Sequence, residues 1–233
     1  MSRNEFDKSL ETAKYLEQQI DYTPEYAIVL GSGLGSLVED IDVEKEISYK
    51  EIPNFPVSTV KGHKGSLIFG TLNGKKVLAM NGRFHFYEGY DMKQVTFPEH
   101  PLRGANDERF GPRFVNMSEP YSKKMLQVVR EYATSNGIKI KEGTYLGLQG
   151  PTFETLAEYT MVRNMGADAV GMSTVPEVIV AVHMGMEVFG ISVITDIGTE
   201  EFIEEVNHQE VLKAARAAEP VVRELVGKLV ELY

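Results

Sequence analysis

Apolar residues recur at helical spacing between Asn4 and Ile20, through Phe6, Leu10, Ala13, Leu16 and Ile20, and this period predicts an amphipathic helix. The pattern then changes. Tyr26–Leu30 is a short, wholly apolar run stopped by a glycine cluster, as expected of a strand buried on both faces. Leu67–Gly70 and Val77–Met80 read as two strands separated by Asn73-Gly74, a strong hairpin turn. A helix is predicted over Tyr121–Ser135, closed by Asn136-Gly137. From there strand-like and helical patterns alternate. Tyr145–Leu148, Ala167–Gly171 and Val188–Ile194 are strand-like, while Glu154–Met165, Val175–Met184 and Gln209–Leu232 are helical. Pro220 is expected to kink the last helix or to start a second one. This alternation predicts an α/β fold: a single domain over residues 1–233 with a mainly parallel, twisted mixed sheet flanked by helices.

Residues 97–113 break the pattern. They are polar, rich in proline and without period, and a run of that length inside a compact domain is commonly functional. The bulk properties narrow the classes. With 233 residues and a hydrophobic fraction of 42%, the chain can bury a core without a disulfide or metal staple. It has no cysteine, which removes disulfides, thiol catalysis and Cys-ligated zinc together. The net charge of −10 argues against a broad nucleic-acid-binding face. The N-terminal residues lack an apolar signal core, and no run approaches the ~18 apolar residues of a membrane span. The expectation is a soluble, cytoplasmic protein with no nucleic-acid or membrane partner.

Five segments have residue types suited to chemistry, and each has a plainer reading. Gly31-Ser32-Gly33-Leu34-Gly35 follows the first strand, and its backbone N–H groups and the Ser32 hydroxyl are suited to an anion. It reads equally as a tight turn. A dinucleotide fingerprint would need glycine where Ser36 stands. In Gly82–Tyr90, Arg83 offers a planar donor fork to an oxyanion, His85 a second donor, and Tyr87 a face and a hydroxyl for a sugar. An Arg83–Glu88 surface pair beside packed aromatics accounts for the same residues. In Gln149–Thr155, Phe153 is suited to stacking on a flat ring and Glu154 to accepting from ring N–H groups. Glu154 is also favourable merely as an acid in a helix's first turn. In Val170–Glu177, Ser173 and Thr174 are either helix caps or hydroxyl donors at the carboxyl end of a parallel strand. Asp196 either bonds a base edge or forms a turn. His63, His85, His100, His183 and His208 show no metal-ligand spacing with nearby acids, so no metal is expected.

Taken in order, these segments resemble the trimeric purine nucleoside phosphorylases. Asn54-Phe55-Pro56, Gly62-His63, Pro101-Leu102-Arg103-Gly104, Asn106–Phe110 and Asn207–Val211 add to the resemblance, which runs from about Gly31 to the C-terminus. It implies the nucleoside phosphorylase fold and phosphorolysis of purine ribonucleosides or 2′-deoxyribonucleosides to free base and pentose 1-phosphate. Phosphate is then a co-substrate and no cofactor is needed. The resemblance assigns phosphate to Ser32, His63, Arg83, His85 and Ser173. It assigns ribose to Tyr87, Met172 and His208, and the purine to Phe153, Glu154 and Asp196. Catalysis falls to Glu154, Asp196 and His85. Phe110 would enter a neighbouring subunit's site, which implies a homotrimer.

The chain departs from the family pattern in two places. Family members preferring 6-oxopurines carry Asn at the position of Asp196, whereas the related methylthioadenosine phosphorylases carry Asp. Asp196 thus keeps open a methylthioadenosine-type 6-aminopurine nucleoside phosphorylase, and a family segment missing after Pro98 keeps open a non-catalytic nucleoside-binding relative. Between residues 98 and 101 the family has a helix, a strand and a glycine-rich phosphate loop. Roughly fifty residues are missing there, more than the ~30 of a βαβ unit. The expectation is that the natural chain contains them; a genuine deletion should leave neighbouring ladder groups unpaired.

Overall fold

The computed structural model describes residues 5–57, 64–83, 100–198 and 208–233. The chain divides into two compact units, one comprising Met1–Phe84 with Glu219–Tyr233 and the other His85–Ala218.

The first unit is built on a mixed sheet. Its strands are β1 (Tyr26–Val29), β2 (Asp42–Ser48), β3 (Ser66–Leu72) and β4 (Lys75–Asn81), in the order β1-β4-β3-β2. The hairpin forms where Asn73-Gly74 predicts it, both residues having positive φ, so β3 and β4 run antiparallel with Leu72 opposite Lys75. Strand β1 joins the other edge of β4 in parallel, with Tyr26 opposite Val77 and Val29 opposite Met80.

Strand alternation divides the apolar residues between two faces. Ile68, Val77 and Ala79 point to one face, into a cluster with Leu30, Leu37, Ile41, Leu72 and Val230. Leu67 and Phe69 point to the other, with Ile47, Tyr49 and Ile52. The first cluster is covered by Val226 and Val230 of the C-terminal helix α5 (His208–Leu232), and the second by Tyr15 and Leu16 of α1 (Glu5–Glu17). Burial on both faces is why β3 and β4 read as continuous apolar runs.

Strand β2 was not legible in the sequence. Its residues Asp42–Glu46 are exposed and largely charged, as suits a sheet edge. It is held by its ladder and by side chains: Ser66 Oγ donates to Glu46 at 2.7 Å and Lys76 Nζ to Glu44 at 2.5 Å. At Gly70 an added methyl would overlap Asp42 O of this strand, so the close strand approach requires glycine.

A single helix α5 runs through Pro220, so no second helix starts there. Beyond the proline it is fastened to the turn that follows the first glycine cluster. Glu219 accepts from Ser36 N at 2.9 Å, and the Arg223 guanidinium forks onto Asp40, with Nε at 2.7 Å. This pairing holds the Asp40 carboxyl below the usual carboxylate range. Asn73 Nδ2 donates to Gly227 O at 2.8 Å.

The second unit contains α2 (Lys123–Ser135), β5 (Tyr145–Gly147), α3 (Leu156–Asn164), β6 (Ala169–Gly171) and α4 (Val175–His183). Strands β5 and β6 pair in parallel, Tyr145 opposite Ala169 and Gly147 opposite Gly171. Met125, Val129 and Ala133 form the buried face of α2 at a spacing of four. The strand expected over Val188–Ile194 does not form, and Ile194 is 62% exposed. An apolar run specifies burial, but a strand also needs a ladder partner; among the described residues this segment joins no ladder, although Val188 O accepts from Ser122 N at 2.8 Å. Both units are mixtures of helix and strand, and the fold is α/β as predicted.

Tyr49 ties the sheet to the segment that follows β4. Its ring is fully buried and its hydroxyl donates to Gly82 O at 2.6 Å. Tyr49→Phe keeps the ring but strands that carbonyl. The expected loss of stability, read from denaturant unfolding, is about 1–3 kcal/mol. An unchanged midpoint would contradict the role given to this bond.

Candidate active site

The parallel register of β1 and β4 brings their carboxyl ends together. Gly31 follows β1 and Arg83 follows β4, and a side chain at position 31 would meet Arg83 Nη2 at 3.4 Å. That is ordinary van der Waals distance, so the guanidinium lies directly beside the loop. Ser32 lies within this loop and is half-buried, as is Arg83. Two of the residues expected to hold phosphate are thus placed at one strand-end site by backbone pairing. The resulting set, a planar cation beside a glycine-rich turn with a hydroxyl, can bind a tetrahedral oxyanion. His63, His85, Tyr87 and the side chain of His208 lie outside the described residues, as does the junction after Pro98.

The remaining described candidates belong to the second unit. Ser173 and Thr174 follow β6, at the carboxyl end of the parallel pair. Thr174 occupies the N-cap position of α4, yet its side chain makes no capping bond. Its φ of 73° and ψ of −56° are costly for a β-branched residue. The plain capping reading therefore fails for Thr174, and the strain instead sets the direction of the Ser173–Thr174 turn. The two hydroxyls lie 3.5 Å apart, and Ser173 N donates to the Tyr145 hydroxyl at 3.4 Å. Met172, next to Ser173, packs against Gly150. That glycine has φ of +64°, a conformation that favours glycine, and a Cβ there would push the Met172 side chain aside.

Glu154 is not in the first turn of α3. Thr155 is the N-cap, and a capping box with Glu158 fixes the start: Thr155 N donates to Glu158 Oε2 at 2.7 Å, and Glu158 N donates to Thr155 Oγ1 at 3.3 Å. Glu158 thus serves the helix terminus, and its carboxyl is held below the ordinary range, first by the Thr155 backbone N–H. Glu154 is left half-buried just outside, and Phe153 beside it is 43% exposed. The sequence signal was available in Thr155-x-x-Glu158.

Glu154 and Asp196 converge on one residue that the motifs missed, Tyr159. Both carboxyls couple to its hydroxyl. Asp196 Oδ1 also accepts from Thr195 Oγ1 at 2.8 Å. Phe110 is half-buried in a segment of turns, and Phe114 four residues on is 89% exposed. His183 is buried at the end of α4, its Nε2 3.0 Å from Pro112 O, and serves packing as expected. Among the described residues no cluster of His, Cys, Asp or Glu could hold a metal ion, and no helix is long and apolar enough to cross a membrane.

Comparison with known proteins places this arrangement in a family. Residues 96–231 match the model of the phosphorylase superfamily. The chain is 42% identical to purine nucleoside phosphorylase of Mus musculus, covering 94% of this chain and 93% of that protein. It is 41% identical to purine nucleoside phosphorylase 1 of Geobacillus stearothermophilus, covering 87% and 89%. The mouse alignment runs over 268 residues, more than the 233 of this chain, so part of the relative has no counterpart here. Among solved structures, Schistosoma mansoni purine nucleoside phosphorylase in complex with adenosine superposes with a TM-score of 0.89 at 33% identity, over 97% of both chains. The sequence likeness and the shared fold together decide the assignment: the chain belongs to the purine nucleoside phosphorylases of the phosphorylase superfamily.

Proposed function

We propose that the protein phosphorolyses purine nucleosides, with Ser32, Arg83 and Ser173 binding phosphate and Glu154 and Asp196 binding the base. The observation that carries the reading is the placement of Arg83 against Gly31 at the carboxyl ends of β1 and β4. His63 and His85 complete the phosphate set, Tyr87, Met172 and His208 contact the ribose, and Phe153 stacks on the purine. The purine is a poor leaving group. As the C1′–N9 bond breaks, the sugar becomes cationic and the base gains electron density. Phosphate facing C1′ offsets the first charge, and hydrogen bonds to the ring edge offset the second. Catalysis is then positioning and charge complementarity to the transition state, with phosphate as co-substrate and no resident cofactor.

The same reading makes the active form a homotrimer, with Phe110 serving a neighbouring site. An exposed apolar side chain as large as Phe114 in this segment is what a subunit contact would cover.

A second reading rests on Asp196. An ionised carboxylate only accepts hydrogen bonds, which suits a 6-amino group better than a 6-oxo group. The residues around it resemble the purine nucleoside enzymes, so inosine is the expected better substrate.

Arg83→Ala should lower the rate by about 10²–10³ and raise the KM for phosphate far more than that for nucleoside. Equal weakening of both would remove Arg83 from the phosphate site. On one preparation, Asp196→Asn should shift the ratio of kcat/KM for inosine over adenosine toward inosine by roughly tenfold, or 1.4 kcal/mol. A ratio that does not move would exclude Asp196 from base selection.

A further inference from the structure

Tyr159 lies in the first turn of α3, five residues after Glu154, at a position fixed by the capping box before it. Its N–H donates to Thr155 O at 3.0 Å. The ring rests on the Cα of Gly198, two residues beyond Asp196. A methyl group at 198 would overlap Cε2, Cζ and Cε1 of the ring. The ring therefore clamps the loop bearing Asp196 to the helix that follows Glu154. Because Cζ is among the atoms over Gly198, the phenolic end is part of this clamp, and its hydroxyl stands beside both carboxyls.

The chemistry of this trio is asymmetric. A phenol has one hydrogen, so it can donate to only one carboxylate at a time. Burial, and then the two acids, push the Tyr159 phenol up to about 12, so it keeps its proton through the physiological range. It can therefore hold one acid while the lone pairs of the other stay available to a base edge.

We propose that Tyr159 is a positioning residue of the purine subsite, which sets the separation of Glu154 and Asp196 through its ring on Gly198 and its hydroxyl between the two acids, and thereby takes part in base selection. This rests on the reading of Glu154 and Asp196 as purine-binding residues. It gives Gly198 a role as the seat of the ring.

The test is steady-state kinetics of wild type, Tyr159→Phe and Gly198→Ala with inosine, adenosine and phosphate, alongside thermal melts. Tyr159→Phe retains the ring and loses the hydroxyl; Gly198→Ala retains the hydroxyl and displaces the ring. Both should change the inosine-to-adenosine ratio of kcat/KM by about fivefold or more, while the KM for phosphate stays within about twofold. The proposal is overturned if the ratio holds within about twofold in both variants, or if nucleoside and phosphate KM rise together with a fall in Tm, which marks a purely structural residue. Failure of both variants to fold would count the same way. A wild type inactive on both nucleosides overturns the functional reading itself, whereas an active wild type with unaltered variants overturns only the role of Tyr159. In alkaline titration at the tyrosinate absorbance band, the wild-type minus Tyr159→Phe difference should rise near pH 12. Since the fold favours the neutral phenol, its contribution to stability is complete below about pH 10 and is lost as pH climbs through about 12. A difference centred near 10 would remove the clamp.

Discussion

The parallel pairing of β1 with β4 is the constraint on which the proposed phosphate site depends. Parallel strands end on the same side, so whatever follows each strand emerges beside the other. Tyr26 opposite Val77 and Val29 opposite Met80 set the register, and the loop from Gly31 then meets Arg83. The antiparallel hairpin supplies the rest. It fixes β4 against β3, buries Ile68, Val77 and Ala79 on one face and Leu67 and Phe69 on the other, and lets Tyr49 secure Gly82 immediately before Arg83. The loop is braced from its far side as well, since Glu219 and Arg223 of α5 hold Ser36 and Asp40.

Around Glu154, in the proposed purine subsite, the organising device is a helix terminus. The capping box of Thr155 and Glu158 satisfies the first turn of α3 and leaves Glu154 without structural duty there. The same terminus sets Tyr159 over Gly198, with its phenol under the influence of both Glu154 and Asp196. Thr174 shows the opposite economy. It accepts an unfavourable backbone conformation at the head of α4 and forgoes a capping bond, which points to a function for that turn.

Much of this was legible in the sequence. Apolar runs and the Asn73-Gly74 turn located β1, β3 and β4, and the alternation downstream of Tyr121 gave the α/β class. Order and spacing of the glycine-rich segments carried the family resemblance that the comparisons then established. These features are local: they depend on periodicity, turn chemistry and short motifs, which the chain specifies residue by residue.

Other features were decided only by tertiary structure. Strand β2 has a charged sequence and becomes a strand because β3 offers it a ladder, whereas Val188–Ile194 has a strand's composition but joins no ladder among the described residues. Tyr159 belongs to no motif, and its importance arises from Gly198, some forty residues away along the chain. Composition and period determine which residues are buried and which elements they form, but partners across a gap in sequence are chosen by packing. For that reason the reaction class could be read from the sequence, while the groups that hold its acids in place could not.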